Sequence, residues 1–323
     1  MNDKVQTTIE IPPVAFMIFN RPDYAQKVFD AIREAKPKKL FVVADGPRTP
    51  EENAICEQTR AIIDQVDWDC EVHKNYAEKN LGLKERFRTG LTWYFENVEA
   101  GIILEDDCLP HPSFFRFTAE MLERYKDNER IMMVTGDNFL PEFTAETSYF
   151  FSRYSPIWGW ATWRRAWQNY DTDIKSWSDP ASKKKLETFY TQPYMREHTK
   201  QIFDGIYDGK MRTWDIQWLY LCLMSDGYCV TPRVNLISNI GIGGTHTEGG
   251  NQNLPVSDIY ARPFVHPKQV TENTIYDYTF YEKSFSPRER TLLEKIRFKV
   301  IKFAVQYEIL KKIYRFITGK KRK

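Results

Sequence analysis

The chain has 323 residues, 42% hydrophobic and 28% charged, with 15 Gly and 17 Pro, a globular composition that excludes disordered and collagen-like chains and suits one large domain with appendages. No apolar stretch approaches the roughly 18 residues of a membrane span, and the start of the chain lacks the basic and apolar regions of a secretory signal, so a cytoplasmic protein is expected. The net charge of +2 hides an asymmetry: Arg288 to Lys323 carry thirteen Lys or Arg against Glu289, Glu294 and Glu308, a local +10 that leaves −8 on residues 1–287.

Val14 to Phe19 is a continuous apolar run, as in a strand buried on both faces. Asn20-Arg21-Pro22 turns the chain into a helix carrying Ala25, Val28, Ile32 and Ala35, with Asn20 or Arg21 at the cap. Leu40 to Ala44 is a second strand leaving through Asp45-Gly46-Pro47, and Thr49-Pro50-Glu51-Glu52 reads as a capping box opening the next helix. Cys70 to His73 is a weaker third strand. Asn80-Leu81-Gly82 leads into a helix with Leu83, Phe87, Leu91, Tyr94 and Phe95 at helical spacing. Gly101 to Leu104 is a fourth strand ending in Glu105-Asp106-Asp107, followed by a helix over 112–125 and a strand over 131–134.

Repeated βα units predict an α/β fold with a mostly parallel central sheet flanked by helices. Ligands bind outside the carboxyl ends of such strands, and Asn20, Arg21, Asp45, Asn80 and the acidic triplet all fall there. Beyond residue 136 the chain is rich in aromatics, including Tyr149-Phe150-Phe151, Trp158-Gly159-Trp160, Trp163 and Trp167, and a polar stretch runs from Asp171 to about Lys210. A helix over 215–225, strands near Tyr228 and Leu236, and a loop over 240–254 holding seven Gly or Asn complete the body. Five cysteines, Cys56, Cys70, Cys108, Cys222 and Cys229, without C-x-x-C spacing, argue against a disulfide framework or a zinc site.

Three adjacent carboxylates at a strand end repel one another unless a cation joins them. Mg²⁺ or Mn²⁺ shared with substrate phosphates resolves the conflict; a solvated acidic turn is the plain alternative. The ordered set Phe19-Asn20-Arg21-Pro22, Ala44-Asp45-Gly46-Pro47, Asn80-Leu81-Gly82, Glu105-Asp106-Asp107 with Pro112-Ser113-Phe114-Phe115, and Trp158-Gly159-Trp160 resembles the nucleotide-sugar glycosyltransferases of the GT-A fold. Within them it is most similar to the inverting N-acetylglucosaminyltransferase that begins N-glycan branching and to bacterial sugar transferases, over about residues 12–245. The segment between Trp167 and Trp214 is longer than in the mammalian relatives.

The resemblance implies a GT-A catalytic domain over 1–286, with a nucleotide-binding half over 12–136 and an acceptor half over 137–286. It implies that Asn20, Arg21, Asp45 and Asn80 hold the nucleotide, Glu105 the donor sugar, Asp106 the ribose and Asp107 the metal, Mn²⁺ or Mg²⁺. Trp214-Asp215 matches the catalytic-base position; Asp215 as a helix N-cap is the other reading. Gly136-Asp137-Asn138 is either an acceptor site or a turn, and Trp160 either a sugar-stacking face or core. His246 is a second candidate for contact with metal or diphosphate.

The expected activity is metal-dependent, inverting transfer from a nucleotide diphosphate donor such as a UDP-sugar to a hydroxyl of a glycan or lipid-linked glycan. A sugar-nucleotide nucleotidyltransferase is the first rival, but it needs a glycine-rich phosphate loop after the first strand. A non-catalytic carbohydrate- or membrane-binding protein is the second. Residues 287–323 place Leu292, Leu293, Ile296, Val300, Phe303 and Tyr307 at helical intervals among lysines, a basic amphipathic tail suited to the anionic inner face of the cytoplasmic membrane. Packing on the body or on a second subunit is its alternative. Nucleic acid is not an expected partner, since the positive charge is confined to this tail.

Overall fold

The computed structural model describes residues 10–143, 145–190, 192–241, 254–258 and 263–285. His246 and the basic tail over 287–323 lie outside the described residues. The chain divides into two compact units, Met1–Glu272 and Asn273–Lys323.

The first unit opens with four parallel strands: β1 (Val14–Ile18), β2 (Lys39–Ala44), β3 (Glu71–Tyr76) and β4 (Ala100–Glu105). Helix α1 (Pro22–Ala35) joins β1 to β2, α2 (Asn53–Ala61) joins β2 to β3, and α3 (Leu83–Asn97) joins β3 to β4. The short strand β5 (Cys108–Pro110) and α4 (Pro112–Tyr125) follow, then β6 (Ile131–Thr135), β7 (Tyr149–Ser152), β8 (Gly159–Trp163) and α5 (Arg164–Trp167). Helices α6 (Pro180–Phe189), α7 (Pro193–Tyr207) and α8 (Asp215–Met224) precede β9 (Tyr228–Pro232) and β10 (Ile237–Asn239).

Eight strands form one sheet in the order β3-β2-β1-β4-β8-β6-β9-β7, and β5 pairs with β10 in a second, two-stranded sheet. Strand β8 runs antiparallel between β4 and β6, and β7 runs antiparallel at the edge on β9. The sheet is therefore mixed and mostly parallel, as the repeated βα units predict. The expected nucleotide and acceptor halves contribute strands to this same sheet.

Residue alternation explains why the first strands are continuously apolar. In β1, Val14, Phe16 and Ile18 enter the core layer containing α1 and α4, whereas Ala15 and Met17 enter the opposite layer with α3, α5 and α8. Leu40 and Val42 against Phe41 and Val43 repeat the division in β2. A strand covered by helices on both faces has no solvent side, so its period of two is hidden in an unbroken apolar run.

The third strand extends to Tyr76, beyond the expected His73. The capping box at Thr49 does not form: a 3₁₀ turn over Pro50–Glu52 precedes α2, Thr49 makes no side-chain cap, and Glu52 instead accepts the Arg48 backbone N–H at 2.8 Å. The polar stretch after Asp171 contains α6 and α7. Its overlooked start signal is Asp179-Pro180, where Asp179 accepts the Ala181 N–H at 2.8 Å and Pro180 occupies the first turn. In the second unit, α9 (Thr274–Ser284) is capped by Asn273, which accepts the Tyr276 N–H at 3.1 Å.

Among the described residues no helix is long and apolar enough to cross a membrane.

Candidate active site

Because β1 to β4 are parallel, their carboxyl ends share one edge of the sheet, and this brings residues far apart in sequence together. Arg21, just past β1, grips the triplet at the end of β4. Its Nη2 pairs with Asp106 Oδ1, its Nε donates to Asp106 Oδ2 at 3.4 Å, and its Nη1 donates to Asp107 Oδ2 at 2.8 Å. Burial works against the Arg21 charge, but the two carboxylates together outweigh it and hold the guanidinium more firmly protonated than usual.

The three acids have different surroundings. Asp106 is 2% exposed, and desolvation pushes its carboxyl up to about 6 while Arg21 pulls the other way. It is a buried partner of Arg21. The Glu105 side chain makes no hydrogen bond or ion pair among the described residues. Desolvation, then Asp107 and Asp106, raise its carboxyl well above the ordinary range. Asp107 is held from behind, its carbonyl accepting the Ile240 N–H at 2.8 Å where β5 meets β10.

Asp45, at the end of β2, is built into the scaffold. Its Oδ1 accepts the N–H groups of Gly46 and Leu81 at 2.8 and 2.9 Å, and its Oδ2 accepts Asn80 Nδ2 and the Gly82 N–H, both at 3.0 Å. Gly82 caps α3 at φ 77° and ψ 159°, a region essentially closed to other residues. Four accepted bonds fill a carboxylate. Asp45 thereby ties the β3–α3 turn to the end of β2. Asn20 is likewise tied, donating to Glu52 Oε1 at 3.2 Å.

Asp215 is the first residue of α8, with Trp214 at the cap position making no side-chain cap. The helix start is braced by residues whose roles are invisible in local sequence. Tyr170 donates to the Trp214 carbonyl at 2.8 Å, while Thr213 and the buried Gln217 bond each other, Thr213 Oγ1 donating at 2.9 Å and Gln217 Nε2 donating to the Thr213 carbonyl at 2.6 Å. Phe87 of α3 stacks on Trp214 at 4.1 Å and 14°. The Asp215 charge reaches both Tyr170 and Glu105, adding to the upward push on each. The carboxylate at the start of α8 thus acts electrostatically on Glu105 at the end of β4.

Three further side chains singled out in the sequence are fully buried. Trp160 is 0% exposed and lies between Trp214 and Trp218, at centroid distances of 6.0 and 5.2 Å, so it is core. Asp137 is also fully buried, its Oδ2 accepting the Trp158 N–H at 3.0 Å. Asn138, equally buried, donates to the carbonyls of Pro232 and Arg233 at 3.0 Å and accepts the Leu140 N–H through its own side chain. Both tie the end of β6 to its neighbours and offer no face to an acceptor.

Among the described residues no three His, Cys, Asp or Glu side chains converge to cage a metal. The local geometry nevertheless fits a hard ion that takes a single carboxylate and draws its remaining ligands from a phosphate and water. Gly241 lies against Asp107 so closely that a Cβ there would stand 2.4 Å from Oδ2. Only glycine leaves that carboxylate its place.

No protein-family model and no curated protein matches the chain. Among solved structures, an active-site mutant of LgtC is 10% identical, with 85% of this chain and 98% of that one covered at a TM-score of 0.37. Mouse xyloside xylosyltransferase 1 is 10% identical over 66% of this chain and 81% of that one, at 0.32. The 4-diphosphocytidyl-2C-methyl-D-erythritol synthase of Anaerococcus prevotii is 9% identical over 73% and 94%, at 0.34. Likenesses of this size say nothing of substrate or mechanism.

Proposed function

We propose that the chain is an inverting glycosyltransferase that moves a sugar from a nucleotide diphosphate, such as a UDP-sugar, to a hydroxyl of a glycan or lipid-linked glycan. The supporting observation is the meeting of Arg21 and Asp107 at the shared strand edge, with Asp215 in electrostatic range of the adjoining Glu105.

Arg21, with its side chain 33% exposed, faces the donor diphosphate while Asp106 anchors it from behind. Glu105, unpaired among the described residues, orients the donor sugar by accepting from its hydroxyls. Asp107 is the metal ligand, and Mn²⁺ or Mg²⁺ bound there would supply charge neutralisation for the departing diphosphate. The acceptor oxygen bonds to the anomeric carbon as the bond from that carbon to the diphosphate oxygen breaks, and Asp215 takes the hydroxyl proton. Attack opposite the leaving group inverts the anomeric centre. Glu105 and Asp215 are separate carboxylates, so orienting the donor and accepting the proton need not compete.

The test is UDP release from a panel of UDP-sugars with Mn²⁺, followed by NMR assignment of the product anomer. Release from none of them, together with pyrophosphate formation from a nucleoside triphosphate and a sugar phosphate, would replace this proposal with a nucleotidyltransferase. The +10 tail over 288–323 supports placement at an anionic membrane surface, each basic residue there contributing about 1 kcal/mol. Flotation of the full chain with phosphatidylserine vesicles, lost on deleting 288–323, tests that placement.

A further inference from the structure

We infer that Tyr170 and Gln217 are positioning residues for Asp215, tying the start of α8 to the polar segment after α5 so that its first carboxylate is set before an acceptor arrives. The inference rests on the proposed role of Asp215 as proton acceptor and adds what holds it in place. Helix α8 is covered on two sides. Trp214, Trp218 and Cys222, at intervals of four, enter the core layer shared with α3 and α5. On another side, the polar segment engages the helix along its whole length.

At the start of α8, the Tyr170 hydroxyl donates to the Trp214 carbonyl at 2.8 Å, and Gln217 Nε2 donates to the carbonyls of Thr213 at 2.6 Å and Thr172 at 3.2 Å. Midway, Tyr220 shares a hydrogen bond with Ser176 Oγ at 2.7 Å and packs edge-on against Trp177 and against Phe203 of α7. At the far end, Lys185 of α6 donates to the Met224 carbonyl at 2.6 Å and pairs with Asp226 at 2.7 Å, a cation where a helix leaves its carbonyls open.

The bonds at the start fix direction as well as contact. Gln217 is fully buried; both its N–H bonds end on carbonyls, which can only accept, and its oxygen accepts Thr213 Oγ1 at 2.9 Å. The amide therefore has one orientation. An apolar side chain would fill the same space without choosing which atoms of Thr172 and Thr213 stand beside it. Tyr170 is held in turn, its ring stacked on Trp167 at 4.4 Å and 10°, while Trp167 Nε1 donates to Thr92 of α3 at 3.2 Å. The carbonyl that Tyr170 holds belongs to the residue immediately before Asp215, so a shift of that peptide carries the carboxylate with it. A misplacement of about 1 Å at a reacting group costs about 10²-fold in rate.

The experiment compares Tyr170→Phe, Asp215→Asn and the double variant of the full chain, following UDP release with Mn²⁺ from a panel of UDP-sugars, water serving as the attacking hydroxyl where no glycan is supplied. Tyr170→Phe keeps the ring on Trp167 and removes only the hydroxyl. Its kcat should fall by about 10- to 100-fold with donor KM unchanged. In the Asp215→Asn background the same substitution should lower kcat no further, since a residue that acts through Asp215 has nothing left to position. A merely structural role would lower both backgrounds by the same factor. If Tyr170→Phe does not fold, Thr213→Val at a half-buried position takes its place, freeing Gln217 and giving the same non-additive pattern. Normal kcat in the variant used, or a loss that multiplies with that of Asp215→Asn, overturns the inference and leaves Asp215 as the base. Near-normal turnover in Asp215→Asn, or no UDP release by the unaltered chain, overturns the proposed chemistry and the inference together.

Discussion

Arg21 Nη1 donates to Asp107 Oδ2 at 2.8 Å across 86 positions of sequence, so the carboxylate proposed to hold a divalent ion already shares its charge with the chain's own cation. The ion must compete with this bond for Asp107. A diphosphate approaching Arg21 would draw the guanidinium toward itself, so donor and metal should bind with mutual assistance.

Asp107→Asn is therefore expected to abolish Mn²⁺-dependent UDP binding in calorimetry. The substitution loses a bond to Arg21 but also removes one of three crowded charges, so the thermal midpoint should move by only a few degrees, about 1 kcal/mol or less. Unchanged UDP affinity with Mn²⁺ present would remove Asp107 from the metal site.

Asp215→Asn should lower kcat by about 10² to 10⁴-fold with donor affinity nearly intact, the usual cost of losing a general base. The remaining product should keep the inverted configuration by NMR. Near-normal turnover in this variant would relieve Asp215 of the proton-accepting role.

Asp137 gives a pH prediction. Its carboxyl is fully buried, its Oδ1 accepts no hydrogen bond among the described residues, and desolvation pushes it up to about 7 against the pull of Trp158 and Thr135. The folded value stands above the unfolded value of about 3.9. This group's stability contribution is therefore fully present below about pH 4 and is lost as pH rises through about 7. Asp137→Asn should remove that loss, being more stable than the parent at pH 8 by about 2–4 kcal/mol and close to it at pH 4. Urea midpoints at the two pH values measure this, and parallel pH curves for the two proteins would refute it.

Trp160→Ala should cost about 3–5 kcal/mol in urea unfolding, the usual penalty for emptying a packed aromatic site. Trp160→Phe should lose less than Trp160→Ala and leave acceptor KM unchanged. A raised acceptor KM with stability intact would restore the sugar-stacking role.

The parallel strands and their order of use were legible in the sequence because they are local patterns: apolar runs, proline and glycine exits, and helical spacing between them. The positions of Arg21, Asn80 and the triplet at strand ends followed from the same patterns. The antiparallel insertion of β8 between β4 and β6 was not legible, since a strand's local pattern does not name its neighbours. Helices α6 and α7 were also missed, their many charged residues masking the cap at Asp179.

By itself, then, the sequence determined the α/β alternation and which polar residues stand at the carboxyl ends of the strands. Only the tertiary structure decided what each polar group does, because that depends on which partners satisfy it across long stretches of chain. Asp45 and Gly82 lie 37 residues apart, and their contact turns a candidate ligand into a structural tie. Tyr170 and Trp214 lie 44 apart, and their hydrogen bond sets the start of the helix carrying Asp215. Trp160, Asp137 and Asn138 are chemically able to meet a sugar, yet enclosure in the sheet's packing withdraws all three, since burial is a property of the assembled layers and not of any residue type.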